Sequence, residues 1–365
     1  MPIWNNSYLR YSMEHSANRA RKHTMPTTRL PGKKFTLTRQ PNINARILEV
    51  LRSKSQTYIS GEELSHKLDM SRTAVWKHVN VLRQLGYRIE AITSVGYKLV
   101  SSPSLLLPLE IKNGLHTERI GRNIHWEYEI ESTNTLALQL AEEGAEEGTV
   151  VVSESQKHGR GRMGRNWISQ PEAGIYLSVI LRPSFVPIKA PCLTFISAIA
   201  LVETFDQVLG LKAKIKWPND VMIGGKKVAG VLTELRAEME RIHHVIIGIG
   251  ANVNNTRFPK DLKGKATSLT LELKQKIPRI TLVRALLEAL EKWYFITQSD
   301  TPERTFERWR ELSGTLGHYV EVNAGETIVK GMASHLGPNG SLYIQLDTGQ
   351  EQEILAGDVT MVAKV

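Results

Sequence analysis

Seven residues, Gly159-Arg160-Gly161-Arg162-Met163-Gly164-Arg165, hold three glycines and three arginines. They follow an apolar β-branched run (Thr149 to Ser153) and precede Asn166 to Pro171, so they read as a loop leaving a strand. Glycine lets a backbone approach a ligand closely. Arginine adds a permanent charge and a planar fork of donors for carboxylate or phosphate. An anionic ligand suits both. The same residues match Gly-x-Gly-x-x-Gly, but a dinucleotide fingerprint needs its third glycine to open a helix. Trp167 to Gly174 shows no helical period and contains Pro171, which argues against that reading. A solvated basic loop is the bland alternative.

Further polar groups fall where elements change. Trp126 to Ile130 reads as a strand, and Ser132-Thr133-Asn134 lead from it into a helix that begins at Thr135. They can cap that helix or offer donors and acceptors to a ureido-like ligand. Lys214-Ile215-Lys216-Trp217 is a strand ended by Pro218, with Asn219 and Asp220 as turn formers. Lys227 stands at the mouth of the next strand, pointing either to solvent or into a pocket. His243 to Ile249 is a strand leading into Gly250-Ala251-Asn252, a polar side chain at a strand end, where ligands bind.

Positioning these groups takes a sizeable frame. A long apolar helix is expected over Leu193 to Leu209, and amphipathic helices over Thr281 to Phe295 and Thr301 to Leu312, with Trp293 and Trp309 as core. From Gly314, strands at Tyr319–Val322, Ile328–Met332, Ser341–Leu346 and Gln352–Leu355 suggest a small β-barrel. At 365 residues the chain has room for two or three domains. Its net charge of +10 favours a polyanionic partner or an anionic substrate. The single cysteine, Cys192, excludes an intrachain disulfide and suits a reducing cytoplasm. No run of about eighteen apolar residues is evident, which argues against a membrane span.

Residues 1–41 carry Arg10, Arg19, Arg21, Lys22, Arg29, Lys33, Lys34 and Arg39 against one acid, Glu14, and read as a disordered basic extension. From Ile43 the pattern turns helical. Ile47, Leu48 and Leu51 share a face, Ser60-Gly61-Glu62-Glu63 is a capping box, and Ser71 caps a helix with Val75, Val79, Leu82 and Leu85 inward. The opposite face carries Arg72, Thr73, Trp76, Lys77 and Asn80, as a DNA recognition helix requires. Residues 88–91 and 97–100 alternate around Ser94-Val95-Gly96 as a wing, and a Ser/Pro-rich linker follows from Ser101 to Pro108. A small helical dimerisation module is the alternative.

This region resembles the winged-helix domain of bacterial biotin operon repressors. In family order come Ser132-Thr133-Asn134, Gln156, the Gly-Arg loop, Lys216-Trp217-Pro218-Asn219-Asp220, Lys227-Val228-Ala229-Gly230 and Gly250-Ala251-Asn252. From about Ile43 to Val365 the chain resembles bifunctional biotin protein ligases that double as repressors. The resemblance implies an α+β multidomain fold. Its parts are a winged helix-turn-helix over 42–101, a class II synthetase-like central mixed β-sheet with flanking helices over 109–312, and an SH3-like β-barrel over 313–365.

It also implies biotin and ATP as substrates, Mg2+ not ligated directly by protein, and a biotin carboxyl carrier protein (of acetyl-CoA carboxylase) and operator DNA as partners. A cytoplasmic homodimer would form with the adenylate bound. Ser132, Thr133, Asn134, Gln156, Arg160, Gly161, Arg162 and Lys227 would bind biotin, and Asn252, Lys227 and Arg162 the nucleotide. Lys227, Arg162 and Asp220 would carry the catalysis, Asp220 near the metal or the incoming lysine. Met163 and the basic extension depart from the family pattern. A non-catalytic biotin-sensing repressor, a lipoate-type ligase and a ligase that has lost its operator are the rival readings.

Overall fold

The computed structural model describes residues 43–54, 57–238, 240–299, 302–325 and 327–362. The basic extension at 1–41 lies outside them. Helix α1 (Ile43–Ser53) turns Ile47, Leu48 and Leu51 inward. Ser60 caps α2 (Gly61–Leu68) by accepting the Glu63 N–H at 3.0 Å, and Ser71 caps α3 (Arg72–Gln84) by accepting from Ala74 at 3.2 Å. The Glu63 carboxylate goes to Lys54 and Lys67 rather than back to Ser60, so only the serine half of the capping box is made. Strands β1 (Arg88–Ile92) and β2 (Gly96–Ser101) pair antiparallel around a turn in which Ser94 takes a φ of 64°. Helix, turn, helix and wing follow as the spacing predicts.

The Ser/Pro-rich connection is packed, not loose. Leu105, Leu106 and Leu107 are buried and enter a short helix, α4 (Pro108–Lys112). Seven strands then build one mixed sheet: β3 (Ile124–Ile130), β4 (Val150–Gln156), β5 (Gly174–Leu181), β6 (Lys214–Lys216), β7 (Asp220–Ile223), β8 (Lys226–Ala237) and β9 (Ile242–Asn252). Their order is β3-β4-β5-β9-β8-β7-β6, parallel only between β3 and β4. β9 runs through Asn252, three residues past the expected strand end. Helix α5 (Thr133–Glu142) lies on one face, and α6 (Pro191–Leu209) and α8 (Arg279–Gln298) on the other, with α7 (Leu269–Leu273) between β9 and α8 in sequence. The strand period of two sorts the side chains. Ile180 of β5 joins Ala137, Val151 and Ile246 under α5, while Leu177, Val179 and Leu181 enter the main core.

Helix α6 is the long apolar helix expected over Leu193 to Leu209. Together with the turn before it, Pro187–Leu209 is long and apolar enough to cross a membrane by length and composition. In this fold it is the core helix, packed on the sheet, on α8 and on α9 (Pro302–Leu312), with Phe195 against Trp309 and Phe306. A helix apolar all round belongs in such a place. Its Cys192 is buried, and burial pushes the thiol up to about 11, so it is inert at neutral pH.

The last strands are β10 (Tyr319–Asn323), β11 (Ile328–Leu336), β12 (Leu342–Gln345), β13 (Glu351–Ile354) and β14 (Asp358–Met361), the fifth of which the sequence reading missed. They form an antiparallel sheet in the order β13-β12-β11-β10-β14. Among the described residues the end strands β13 and β14 do not pair, so these ladders make an open sheet where a closed barrel was expected.

Candidate functional site

Above the sheet lies a cavity of about 1240 Å³. Its walls include Ser132, Thr133, Asn134, Gln156, Arg160, Gly161, Arg162, Asn219, Asp220, Lys227 and Asn252, so every ligand or catalytic residue singled out in the central part of the sequence meets here. β14 of the C-terminal sheet adds Asp358.

One wall is polar and uncharged. Ser132 stands at the N-cap of α5, yet its side chain makes no cap bond. The capping alternative therefore fails for this trio, whose other members serve the cavity wall. Thr133 donates its N–H to Gln156 Oε1 at 2.8 Å, and Gln156 Nε2 donates to Ser169 Oγ at 2.9 Å. Ser178 Oγ donates to Asn134 Oδ1 at 2.6 Å and lies 2.8 Å from Thr133 Oγ1. Asn134 Nδ2 donates to Glu234 Oε2 at 2.7 Å. These groups fix one another, so a ligand meets a preset pattern of donors and acceptors.

The sheet makes room for them with glycine. A Cβ on Gly248 would lie 2.1 Å from Asn134 Oδ1, and one on Gly250 would lie 2.5 Å from the Trp167 ring. Both distances are far inside van der Waals contact, and both glycines sit on β9.

The other wall is cationic. The Gly-Arg loop opens no helix after Gly164; Gly161 donates to Arg165 O at 2.7 Å and Trp167 to Gly159 O at 2.8 Å, which closes a tight loop. Met163 and Gly164 take φ values of 53° and 72°. Arg160 pairs with Glu234, Arg165 with Asp358, and Arg162 Nη1 donates to Asn219 Oδ1 at 3.2 Å. Burial pulls the Arg162 pKa down, against the pull of Asp358 and Asp220. Lys227 Nζ meets Asp220 Oδ1 at 2.6 Å and sits 5.4 Å from the centre of the Trp167 ring. A ligand with a neutral polar head and an anionic tail fits these two walls. Among the described residues no Ser–His or Cys–His hydrogen bond lines the cavity, so positioning and electrostatics are the chemistry on offer.

Residues 126–252 match the model of the biotin/lipoate A/B protein ligase family, and residues 44–98 an HTH domain. The bifunctional ligase/repressor BirA of Bacillus subtilis (strain 168) is 38% identical over 319 residues, covering 86% of this chain and 97% of that protein. The chain belongs to the bifunctional biotin ligase/repressor family. Within that family the Escherichia coli (strain K12) ligase/repressor BirA is 28% identical, over 83% of this chain and 92% of the relative. The biotin protein ligase of Aquifex aeolicus in complex with biotin and ATP superposes with a TM-score of 0.59 at 28% identity, covering 67% of this chain and all of that one.

Within the HTH match, the residues expected to face DNA lie on α3. Arg72, Thr73, Trp76 and Lys77 are exposed on α3 and Asn80 is half-buried, well apart in sequence from the cavity. Trp76 is 53% exposed, which a folding role does not explain. Arg72 pairs with Glu62 and Asn80 accepts from Arg83. Sequence reasoning missed Ser178, Glu234 and Asp358, which reach the site from a strand centre, a strand side and the unpredicted β14. Trp167 was visible beside the loop, but nothing local showed that it lies against Gly250.

Proposed function

We infer that the protein joins biotin to ATP as biotinyl-5′-adenylate, passes the biotinyl group to a lysine of a biotin carboxyl carrier protein, and represses transcription through its winged helix. The observation that carries this is the single cavity in which the neutral wall of Thr133, Asn134 and Gln156 adjoins the cationic wall of Arg160, Arg162 and Lys227. Ser132, Thr133, Asn134 and Gln156 pair with the ureido ring, and Arg160 with Gly161 folds over the ligand. Lys227 and Arg162 offset charge while the biotin carboxylate oxygen attacks the α-phosphorus and pyrophosphate leaves. Asn252 adjoins the nucleotide. In the second step the neutral amine of the carrier lysine attacks the mixed anhydride, AMP departs, and Asp220 stands ready near the incoming amine.

Mg2+ would offset charge on the ATP phosphates. Asp220, a carboxylate of the cavity wall, would face this ion through its waters rather than ligate it directly. On the same reading Arg72, Thr73, Trp76, Lys77 and Asn80 face operator DNA, the adenylate-bound form is a cytoplasmic homodimer, and the domains divide at 42–101, 109–312 and 313–365, the last SH3-like.

Biotin-dependent exchange of labelled pyrophosphate into ATP tests the first half-reaction without the carrier. Exchange that requires biotin is the expected result. Biotin binding without exchange would point to a non-catalytic sensor, and lipoate binding in place of biotin to the related ligase.

A further inference from the structure

Six cations that line the cavity are already engaged. Lys227 is held by Asp220, Arg160 by Glu234, Arg165 by Asp358, Arg162 by Asn219, Lys212 by Asp206, and Lys214 donates to Glu311 O. Of the rest, Lys265 is exposed to water. Lys216 is half-buried, and among the described residues it makes neither a hydrogen bond nor an ion pair. An ammonium taken partly out of water without a partner is unfavourable unless a ligand supplies the anion.

Its place in the sheet says which part of the ligand that is. Lys216 ends β6, the edge strand, and its register partner across the turn is Asp220 of β7. Reading outward from β9, which lies beneath Asn134 and Trp167, come Lys227 on β8, Asp220 on β7 and Lys216 on β6. In an in-line displacement the nucleophile and the leaving group stand on opposite sides of phosphorus. With biotin over β5 and β9 and Lys227 at the carboxylate and α-phosphate, the leaving group runs outward toward the β6 edge.

We propose that Lys216 is a further catalytic residue of the adenylation step, binding the β- and γ-phosphoryl oxygens of ATP and holding pyrophosphate as its bond to the α-phosphorus breaks. The assignment rests on the adenylation reading above. No proton moves to or from Lys216; it offsets charge as the bridging oxygen takes up the electron pair. Burial also pulls its pKa below the ordinary lysine value, with Asp220 opposing and Lys227 adding to the fall.

The test compares Lys216→Met and Lys216→Arg with the unmodified protein in biotin-dependent pyrophosphate–ATP exchange over a range of pyrophosphate concentrations. Transfer from preformed biotinyl-adenylate to the carrier is followed separately. Loss of one charge-assisted contact predicts that Lys216→Met needs roughly tenfold or more pyrophosphate for half-maximal exchange. Biotin affinity and the transfer half-reaction stay as they are, and Lys216→Arg keeps most of the exchange. Unchanged pyrophosphate dependence in a Lys216→Met protein that binds biotin overturns the proposal, as does a defect confined to transfer. Should Lys216→Met fail to fold, Lys216→Gln takes its place under the same criteria. An unmodified protein with no exchange at all removes the ligase reading, and this assignment with it.

Discussion

Lys227 meets Asp220 at 2.6 Å beside the Trp167 ring, so its ammonium is held in position before any ligand arrives. A preset cation is worth most where charge builds up in the transition state, because no reorganisation is needed then. Lys227→Ala should therefore slow adenylate synthesis by roughly 10²–10³-fold, the range for losing one such group. Biotin-dependent pyrophosphate exchange reads that loss, with circular dichroism as the check on folding; near-normal exchange by a folded variant removes Lys227 from the chemistry. At this scale the legible residues were those at element junctions, where a polar side chain has no packing reason to be: Ser132 to Asn134, the Gly-Arg loop, Asn219, Asp220, Lys227 and Asn252. Ser178 was not legible, since a serine inside the apolar run Gly174–Leu181 looks like any small core residue until the fold lays Thr133 and Asn134 on it.

β9 shows what an element must give up to make the site. Gly248 leaves Asn134 its place, and a methyl group there would meet the carboxamide at 2.1 Å. Gly248→Ala should push Asn134 off Ser178 and weaken biotin binding. Calorimetric titration with biotin measures this, and an unchanged affinity would show that Asn134 does not shape the site. Farther along the same strand, His244 is buried with no protein partner on Nε2. Burial first, then Arg182 and Arg236, hold its pKa below the ordinary 6.5, with Glu142 opposing. The unfolded chain thus takes up a proton near pH 6.5 that the folded chain resists, so this contribution is whole above that pH and is lost as pH falls below it. Denaturant unfolding between about pH 8 and about pH 5 should show a shallower decline for His244→Asn than for the unmodified protein; parallel curves would assign the decline to other groups. The apolar strands and helices were readable from period and length. The end of β9 was not, because Gly250-Ala251-Asn252 looks like a turn and is kept extended by its pairing with β5 and β8.

Across the whole molecule, the parts are tied by buried charge. Glu154 sits on β4 two residues before Gln156, fully buried, with Oε1 accepting the Leu106 N–H at 2.6 Å and the Trp126 Nε1–H at 3.3 Å. Arg279 of α8 stands 2.8 Å from Glu154 Oε2, while its N–H bonds aim at Gly174 O and Ser104 O, each at 3.0 Å. The contact at Oε2 is therefore an ion pair without an aligned hydrogen bond. On the winged-helix side, Glu110 of α4 pairs with Arg52 of α1 and accepts from the Tyr87 hydroxyl. The segment between the winged helix and the sheet is thus bound at both ends, which its serine and proline composition concealed; Leu105 to Leu107, Glu110 of α4 and the distant Glu154 order it. Removing one member of a buried pair strands the other charge, whereas replacing both with apolar side chains of similar volume does not. Glu154→Leu should accordingly lower the unfolding free energy by about 3–5 kcal/mol. Glu154→Leu with Arg279→Met should lower it less than Glu154→Leu alone, although Leu106, Trp126, Gly174 and Ser104 each lose a partner in the double variant. Urea denaturation of the three proteins decides the matter: a double variant no more stable than Glu154→Leu would mean that these hydrogen bonds, and not the charge of Arg279, hold the connection to the sheet.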